Sequence, residues 1–181
     1  MLHLKNITAG NPKTAEQYQM TKRHSIVWLF SEDGKNWYEE QKNFASDTIK
    51  VAYTERGRVV WVGKDVTGIE PTNVSIIELP DITTNRRITA PGYWFYRDGN
   101  FIFDYKLKAE DERNALLQQA SSMTSDWEKD LLLGLISDED RERLKAYRIY
   151  AKSLQTMDFS PITDKASYNA IEWPVSPEAS S

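Results

Sequence analysis

No cysteine occurs in the 181 residues, so disulfides, thiolate metal sites and a cysteine nucleophile are excluded. Histidine is almost as scarce. His3 and His24 lie far apart with no flanking ligand pattern, whereas a zinc site needs several convergent donors; both read as surface or packing residues. Glycine is limited to eight residues, mostly in turns. Neither a phosphate-cradling G-x-x-x-x-G-K-[ST] loop nor a G-x-S-x-G nucleophile elbow is present, and no cofactor is expected. Long apolar runs are also missing. The longest, Ile26 to Phe30, is five residues, against roughly 18–20 for a membrane span. The start, Met1-Leu2-His3-Leu4-Lys5-Asn6, has neither the charge nor the apolar stretch expected of a secretory signal. A basic excess is absent too: the net charge is −4 and the pI near 5.3. The basic pairs Lys22-Arg23 and Arg86-Arg87 are too sparse for a phosphate-backbone surface, so nucleic acid is not an expected partner.

What remains is rich in aromatics: six Trp, nine Tyr and six Phe, most of the Trp falling on strand-like segments. Up to about residue 105 the apolar pattern is short and alternating. Ile26-Val27-Trp28-Leu29-Phe30 reads as a strand, Asp33-Gly34 as a hairpin turn, and Trp37-Tyr38 as the return strand. Ile49 to Tyr53 and Val59 to Val62 flank a turn at Glu55-Arg56-Gly57-Arg58, and Val74 to Leu79 is a further strand stopped by Pro80. Tyr93 to Tyr96 and Phe101 to Tyr105 flank a second Asp-Gly turn at Asp98-Gly99. The first 25 residues are ambiguous, with a short helical turn open over Thr14 to Met20.

Beyond this the period changes. From Ala109, the positions Leu116, Ala120, Met123, Trp127 and Leu131 fall on one face of a helix, with Glu110, Asp111 and Glu112 in its first turn and Gly134 ending it. Ser137 starts a second helix as an N-cap, with Leu144, Tyr147, Ala151 and Leu154 on its apolar face. A short link between two amphipathic helices predicts an antiparallel helical hairpin. Pro161, Pro174 and Pro177 then point to an extended tail, anchored by Trp173 and fraying at the terminal serines. The expected fold is α+β: a β-rich domain of hairpins over 1–105, a helical hairpin over 106–160 and a tail over 161–181.

The carboxylates Glu32, Asp33, Glu39 and Glu40 are the best candidates for a glycosidase-like acid pair, since a hairpin would bring them together beside Trp37 and Tyr38. Four acids among lysines on one turn are equally the pattern of a solvated loop, and no catalytic residue is assigned. The aromatics divide between a core, which takes about two-thirds of them, and a surface offered to a partner.

In order and coverage the segments resemble one family. Leu2-His3-Leu4-Lys5-Asn6-Ile7, Gly10 to Thr14, Trp28 to Tyr38, Leu79 to Arg87, Gly92-Tyr93-Trp94, Asp138 to Arg141, Ala146-Tyr147 and Trp173-Pro174 are together similar to the tail fibre assembly proteins of Mu-like and lambdoid phages. The stretch from about Leu107 to Gly134 resembles them least. The resemblance implies a chaperone for folding and trimerisation of a tail fibre, acting in the host cell cytoplasm on the fibre's C-terminal, distal, receptor-binding end. In some members it implies retention at the virion's fibre tip with a contribution to bacterial lipopolysaccharide binding. The alternative is a tail-tip glycan-binding lectin or glycan-active enzyme. Residue types that dominate binding energy, placed inside the family-like segments, mark Trp28, Trp37, Tyr38, Arg86, Arg87 and Trp94 as the expected partner-binding set.

Overall fold

A computed structural model describes residues 1–180, which form two compact units, Met1–Phe103 and the remainder from Asp104. The α+β class holds: antiparallel sheets come first and a helical hairpin follows.

The first unit is built on a five-stranded antiparallel sheet of β1 (His3–Gly10), β2 (Trp28–Phe30), β3 (Thr48–Thr54), β4 (Val59–Gly63) and β5 (Val74–Pro80), in the order β2-β1-β5-β3-β4. A separate hairpin pairs β6 (Trp94–Arg97) with β7 (Asn100–Phe103). Strand β3 is buried on both faces, and alternation along it feeds two cores. Ala52 joins Leu4, Ile7, Leu29, Trp37, Val66 and Ile76 on one side. Ile49 and Val51 join Val59 and Ile88 on the other, where Ile77, Leu79, Trp94 and Phe101 pack against them. The outer strand β4 is bulged against β3, with Val60 exposed, a device that discourages further strand pairing at an edge.

The local chemistry explains most turns. Asp98 and Gly99 both take positive φ, 50° and 82°, as a two-residue hairpin of the primed type requires. Gly57 has φ 82° and its carbonyl accepts from the Tyr96 N–H at 2.7 Å; a Cβ there would collide with the Tyr96 carbonyl.

The return strand expected at Trp37-Tyr38 does not form. The turn after β2 closes on itself, with the Ser31 N–H donating to the Lys35 carbonyl at 3.0 Å, and only Phe30 and Asn36 bridge across it. The Asn36 side chain then caps the Tyr38 N–H, so a four-residue helix, α2 (Trp37–Glu40), starts where a strand was expected. The ambiguous N-terminus resolves into β1 and a helix, α1 (Ala15–His24), capped by Thr14.

The second unit begins with α3 (Tyr105–Leu133), earlier than expected because the Asp104 carboxylate caps the Leu107 N–H at 2.9 Å. Glu110 to Glu112 therefore miss the first turn, and Lys106 and Lys108 face Glu110 and Glu112 one turn on instead. Ser137 caps α4 (Asp138–Gln155) as its residue type indicated. The hairpin is antiparallel, with Trp127 beside Tyr147 and Ala120 in one cluster with Tyr150 and Leu154. Its seam runs through Thr124, 4% exposed, while Met123 stays 41% exposed. At 3.6 residues per turn either position can face the partner helix, and the Thr124 hydroxyl meets the Ser121 carbonyl and Glu128.

The segment after 161 is more structured than an extended tail. A short helix, α5 (Lys165–Asn169), is closed by an Asp164–Ser167 capping box, and the Tyr168 hydroxyl reaches the Glu112 carboxylate at 2.6 Å. Trp173 does anchor the segment, against Phe159 and the Ala120–Tyr150 cluster. Of the terminal serines expected to fray, Ser180 ends a 3-10 turn over Pro177–Ser180, and Ser181 lies outside the described residues. Among the described residues no helix is long and apolar enough to cross a membrane.

Candidate partner-binding surface

The six residues marked as partner-binding fall into two groups within the first unit. Trp28 lies on β2, at one edge of the sheet. Its indole N–H donates to the Thr21 hydroxyl at 2.8 Å and its ring meets Tyr38 edge-on. Trp28 is 7% exposed and Trp37 2%, so both side chains are spent on packing. Tyr38 is 44% exposed, and its hydroxyl donates to the Val27 carbonyl, bracing the entry to β2.

Arg86, Arg87 and Trp94 belong to the second core's side of the unit, where Trp94 and Phe101 pack with Ile77 and Leu79 against Ile49, Val51, Val59 and Ile88. Their roles differ. The Arg86 guanidinium is clamped on Asp81, Nε to Oδ1 at 2.6 Å, with Lys64 on the other carboxylate oxygen. Bonds from Arg86 and then Lys64 pull the Asp81 carboxyl down to about 2. Arg86 thus braces its own loop. Arg87 is exposed and has no ion-pair partner among the described residues. It borders a cleft of about 340 Å³ lined by Ile77, Leu79, Trp94, Tyr96, Asn100 and Phe101. Trp94 stands half-buried there, edge-on to Phe103. A planar cation beside an aromatic, partly apolar cleft is the arrangement that anchors protein partners.

Tyr96, Asn100 and Phe101 were not singled out from sequence, although Tyr96, two residues after Trp94 on β6, shares its face. The wall continues through His3, whose Nε2 lies 2.6 Å from the Tyr53 hydroxyl and whose ring meets Tyr96 edge-on. Burial, reinforced by Lys5, lowers the His3 pKa, so the imidazole is a neutral packing element at pH 7.

The acids of the 31–40 segment are dispersed. Glu32 accepts from the Asn6 amide, Glu39 from Asn36 and Glu40 from Asn43. The Ser31 hydroxyl, followed by Lys35, lowers the Asp33 pKa, whereas a general acid at neutral pH needs it raised. Among the described residues no group of three His, Cys, Asp or Glu side chains is placed to hold a metal ion.

Comparison with known proteins shows the family. Residues 39–178 match the family model of the Caudovirales tail fibre assembly protein, lambda gpK. The tail fiber assembly protein U′ of Escherichia phage Mu is 47% identical over 171 residues, covering 90% of this chain and 97% of that protein. The U′ protein of Escherichia phage P1 is 46% identical with the same coverage. The tail fiber assembly protein U of phage Mu is 40% identical over 184 residues, 98% of this chain and all of that protein. The match crosses both compact units, including the α3 stretch expected to resemble the family least. The chain belongs to the Caudovirales tail fibre assembly protein family.

Proposed function

We propose that this protein is a chaperone that binds a bacteriophage tail fibre at its distal, C-terminal end and holds it until three chains trimerise, in the host cytoplasm, by binding and without turnover. The observation that carries this reading is the end-to-end similarity to proteins named for tail fibre assembly. The cleft bordered by Arg87 and Trp94 supports this reading as the candidate docking face. An unfinished β-rich trimer exposes apolar surface and unpaired strand edges; non-local pairing is slow, and exposed edges aggregate. An aromatic cleft with an uncommitted guanidinium would cover such surface reversibly. Of the six residues expected from sequence, Arg87, Trp94 and Tyr38 would carry contact, while Trp28, Trp37 and Arg86 would hold the scaffold.

A second reading rests on the same cleft. Trp94 with Asn100 and Arg87 would also stack and hydrogen-bond a sugar, which would make the protein a tail-tip lectin for lipopolysaccharide that stays on the virion.

The test is co-expression of the chain with the fibre encoded beside it, scoring soluble trimeric fibre, with thermal stability measured on the isolated chain. Arg87→Ala and Trp94→Ala are expected to weaken binding roughly 30-fold, the effect of losing about 2 kcal/mol at a hot spot. Arg87→Ala should leave the melting temperature unchanged. If the fibre trimerises equally well without this chain, the chaperone reading fails. If trimer yield survives both changes while binding of purified lipopolysaccharide is lost, the cleft is the lectin site.

A further inference from the structure

The helical unit carries an apolar surface that its own fold leaves uncovered. Leu131, Leu132, Leu133 and Leu135 at the end of the hairpin are 46%, 86%, 69% and 72% exposed, and Ile149 is 67% exposed. Leu131 and Ile149, with Leu144, line an open groove of about 510 Å³ along α4. Local structure does not account for the leucines. The end of α3 is a Schellman cap, with the Leu135 N–H on the Asp130 carbonyl at 2.8 Å and the Gly134 N–H on the Leu131 carbonyl at 3.2 Å. That cap ordinarily packs the residue after glycine against an apolar residue at the Asp130 position. Here that position is a carboxylate, and Leu135 stands free in solvent.

The rim of the groove is cationic. Arg141, Lys145 and Arg148 line it, and Lys152 continues the same α4 face at spacings of four, three and four. Lys145 meets Glu142 at 2.6 Å and Arg141 reaches Asp138 only at 3.9 Å. Among the described residues Arg148 and Lys152 have no ion-pair partner. This row sits on a unit with fifteen acidic and ten basic residues, so it is a local concentration of positive charge against the unit's net sign.

We propose that this groove is a second protein-docking surface, and that its occupant is an amphipathic helix bearing carboxylates beside its apolar stripe. Charge complementarity selects the occupant. Four cations along one helical face, spanning about 16 Å at 1.5 Å per residue, match acids at i, i+4 and i+7 of a second helix lying along α4. The apolar floor receives that helix's leucines, with Leu131 and Ile149 as its exposed part. The surface is independent of the Arg87–Trp94 cleft and of what that cleft binds.

The experiment uses the full chain and two synthetic peptides of about 20 residues, identical in their leucine stripe and flanked by glutamate or by lysine. Affinity is read by fluorescence anisotropy at low and high salt. The glutamate peptide should bind at least about tenfold more tightly than the lysine peptide, with the difference shrinking as salt rises. Ile149→Ser and Arg148→Glu should each weaken it about tenfold with the melting temperature unchanged. Both positions are exposed, so neither change is expected to unfold the chain. Equal binding of the two peptides, no binding, or indifference to both substitutions overturns the proposal. So does sedimentation showing a dimer that Ile149→Ser dissociates, which would make the occupant a second copy. Binding to phosphatidylglycerol vesicles that Arg148→Glu abolishes, without peptide binding, would make it an anionic membrane surface and likewise overturn it.

Discussion

In the first unit, a lysine and a glutamate are buried mid-sheet; in the second, leucines at the end of α3 stand among the most exposed apolar residues. Lys50 and Glu78 face each other across β3 and β5, and are 1% and 5% exposed. The Glu78 carboxylate accepts from the Leu2 N–H at 3.0 Å, the Ala45 N–H at 2.7 Å and the Thr48 hydroxyl at 2.7 Å. The Lys50 ammonium donates to the carbonyls of Ala45 and Thr48. These bonds tie the chain start and the loop before β3 to the centre of the sheet. The helical unit has the opposite arrangement: its seam is narrow, and Leu132, Leu133, Leu135 and Ile149 lie in solvent. A sheet covered on both faces must satisfy internally whatever polar group its alternation turns inward. A two-helix hairpin has one seam to bury, and apolar residues off that seam wait for a partner. Uncovered apolar surface is therefore a stronger pointer to binding in the helical unit than aromatic content is in the β unit.

The contrast is open to direct attack, and the largest effect should come from Trp37→Ala. Removing this ring from the core is expected to cost about 3–5 kcal/mol and to abolish the near-UV signal of the β unit. Calorimetry and circular dichroism would read it; a loss under about 1 kcal/mol, closer to the cost of a surface change, would mean that the β core tolerates loss of its largest buried ring.

Glu78→Gln comes next. Burial alone would push the Glu78 carboxyl up, but the bonds from Leu2, Thr48 and Ala45, with the Lys50 charge, hold it below the ordinary glutamate range. A depressed folded value means the stabilisation is fully present above the unfolded pKa of about 4.3 and disappears as pH falls through the folded one. At pH 7 the substitution should cost about 1.5–3 kcal/mol, with wild type and variant converging in acid. Urea titrations at neutral and acid pH would show it, and a penalty of equal size at both would remove the charge from the explanation.

Ser137→Ala should cost about 1 kcal/mol through loss of the α4 cap. Its effect belongs on the helical ellipticity, and a matching shift in the near-UV signal of the β unit would blur the division drawn above. The smallest effect concerns the Arg86 clamp. In Arg86→Ala the Asp81 carboxyl should rise from about 2 toward the ordinary aspartate range, because its strongest partner is gone. Carbon-13 titration would follow it, and a value still near 2 would assign the depression to Lys64 alone.

The turns at Asp98-Gly99 and Glu55 to Arg58, the Gly134 stop and the Ser137 cap were all readable as residue types at their positions, because each depends on atoms only a few residues away. Trp37-Tyr38 was misread for the same reason in reverse. Two aromatics after a turn look like a strand, and the Asn36 cap that makes them a helix is one hydrogen bond among equal local options. At the candidate site, the pair Arg86-Arg87 is uniform in sequence and divided in space: Asp81 takes one arginine into the loop and leaves the other at the cleft.

By itself the sequence determined the family, the α+β class, the change from period two to period 3.6 near residue 105, and the caps and turns that punctuate it. These follow from side-chain pattern and neighbour-to-neighbour chemistry. Tertiary structure alone decided which aromatics are core and which are surface. It placed Trp28 and Trp37 inside and Trp94 at a cleft, and it brought His3, Tyr53 and Tyr96 onto one wall. Burial of a large amphipathic ring depends on strand register and on what arrives from distant sequence to cover it, and no local pattern encodes that arrival.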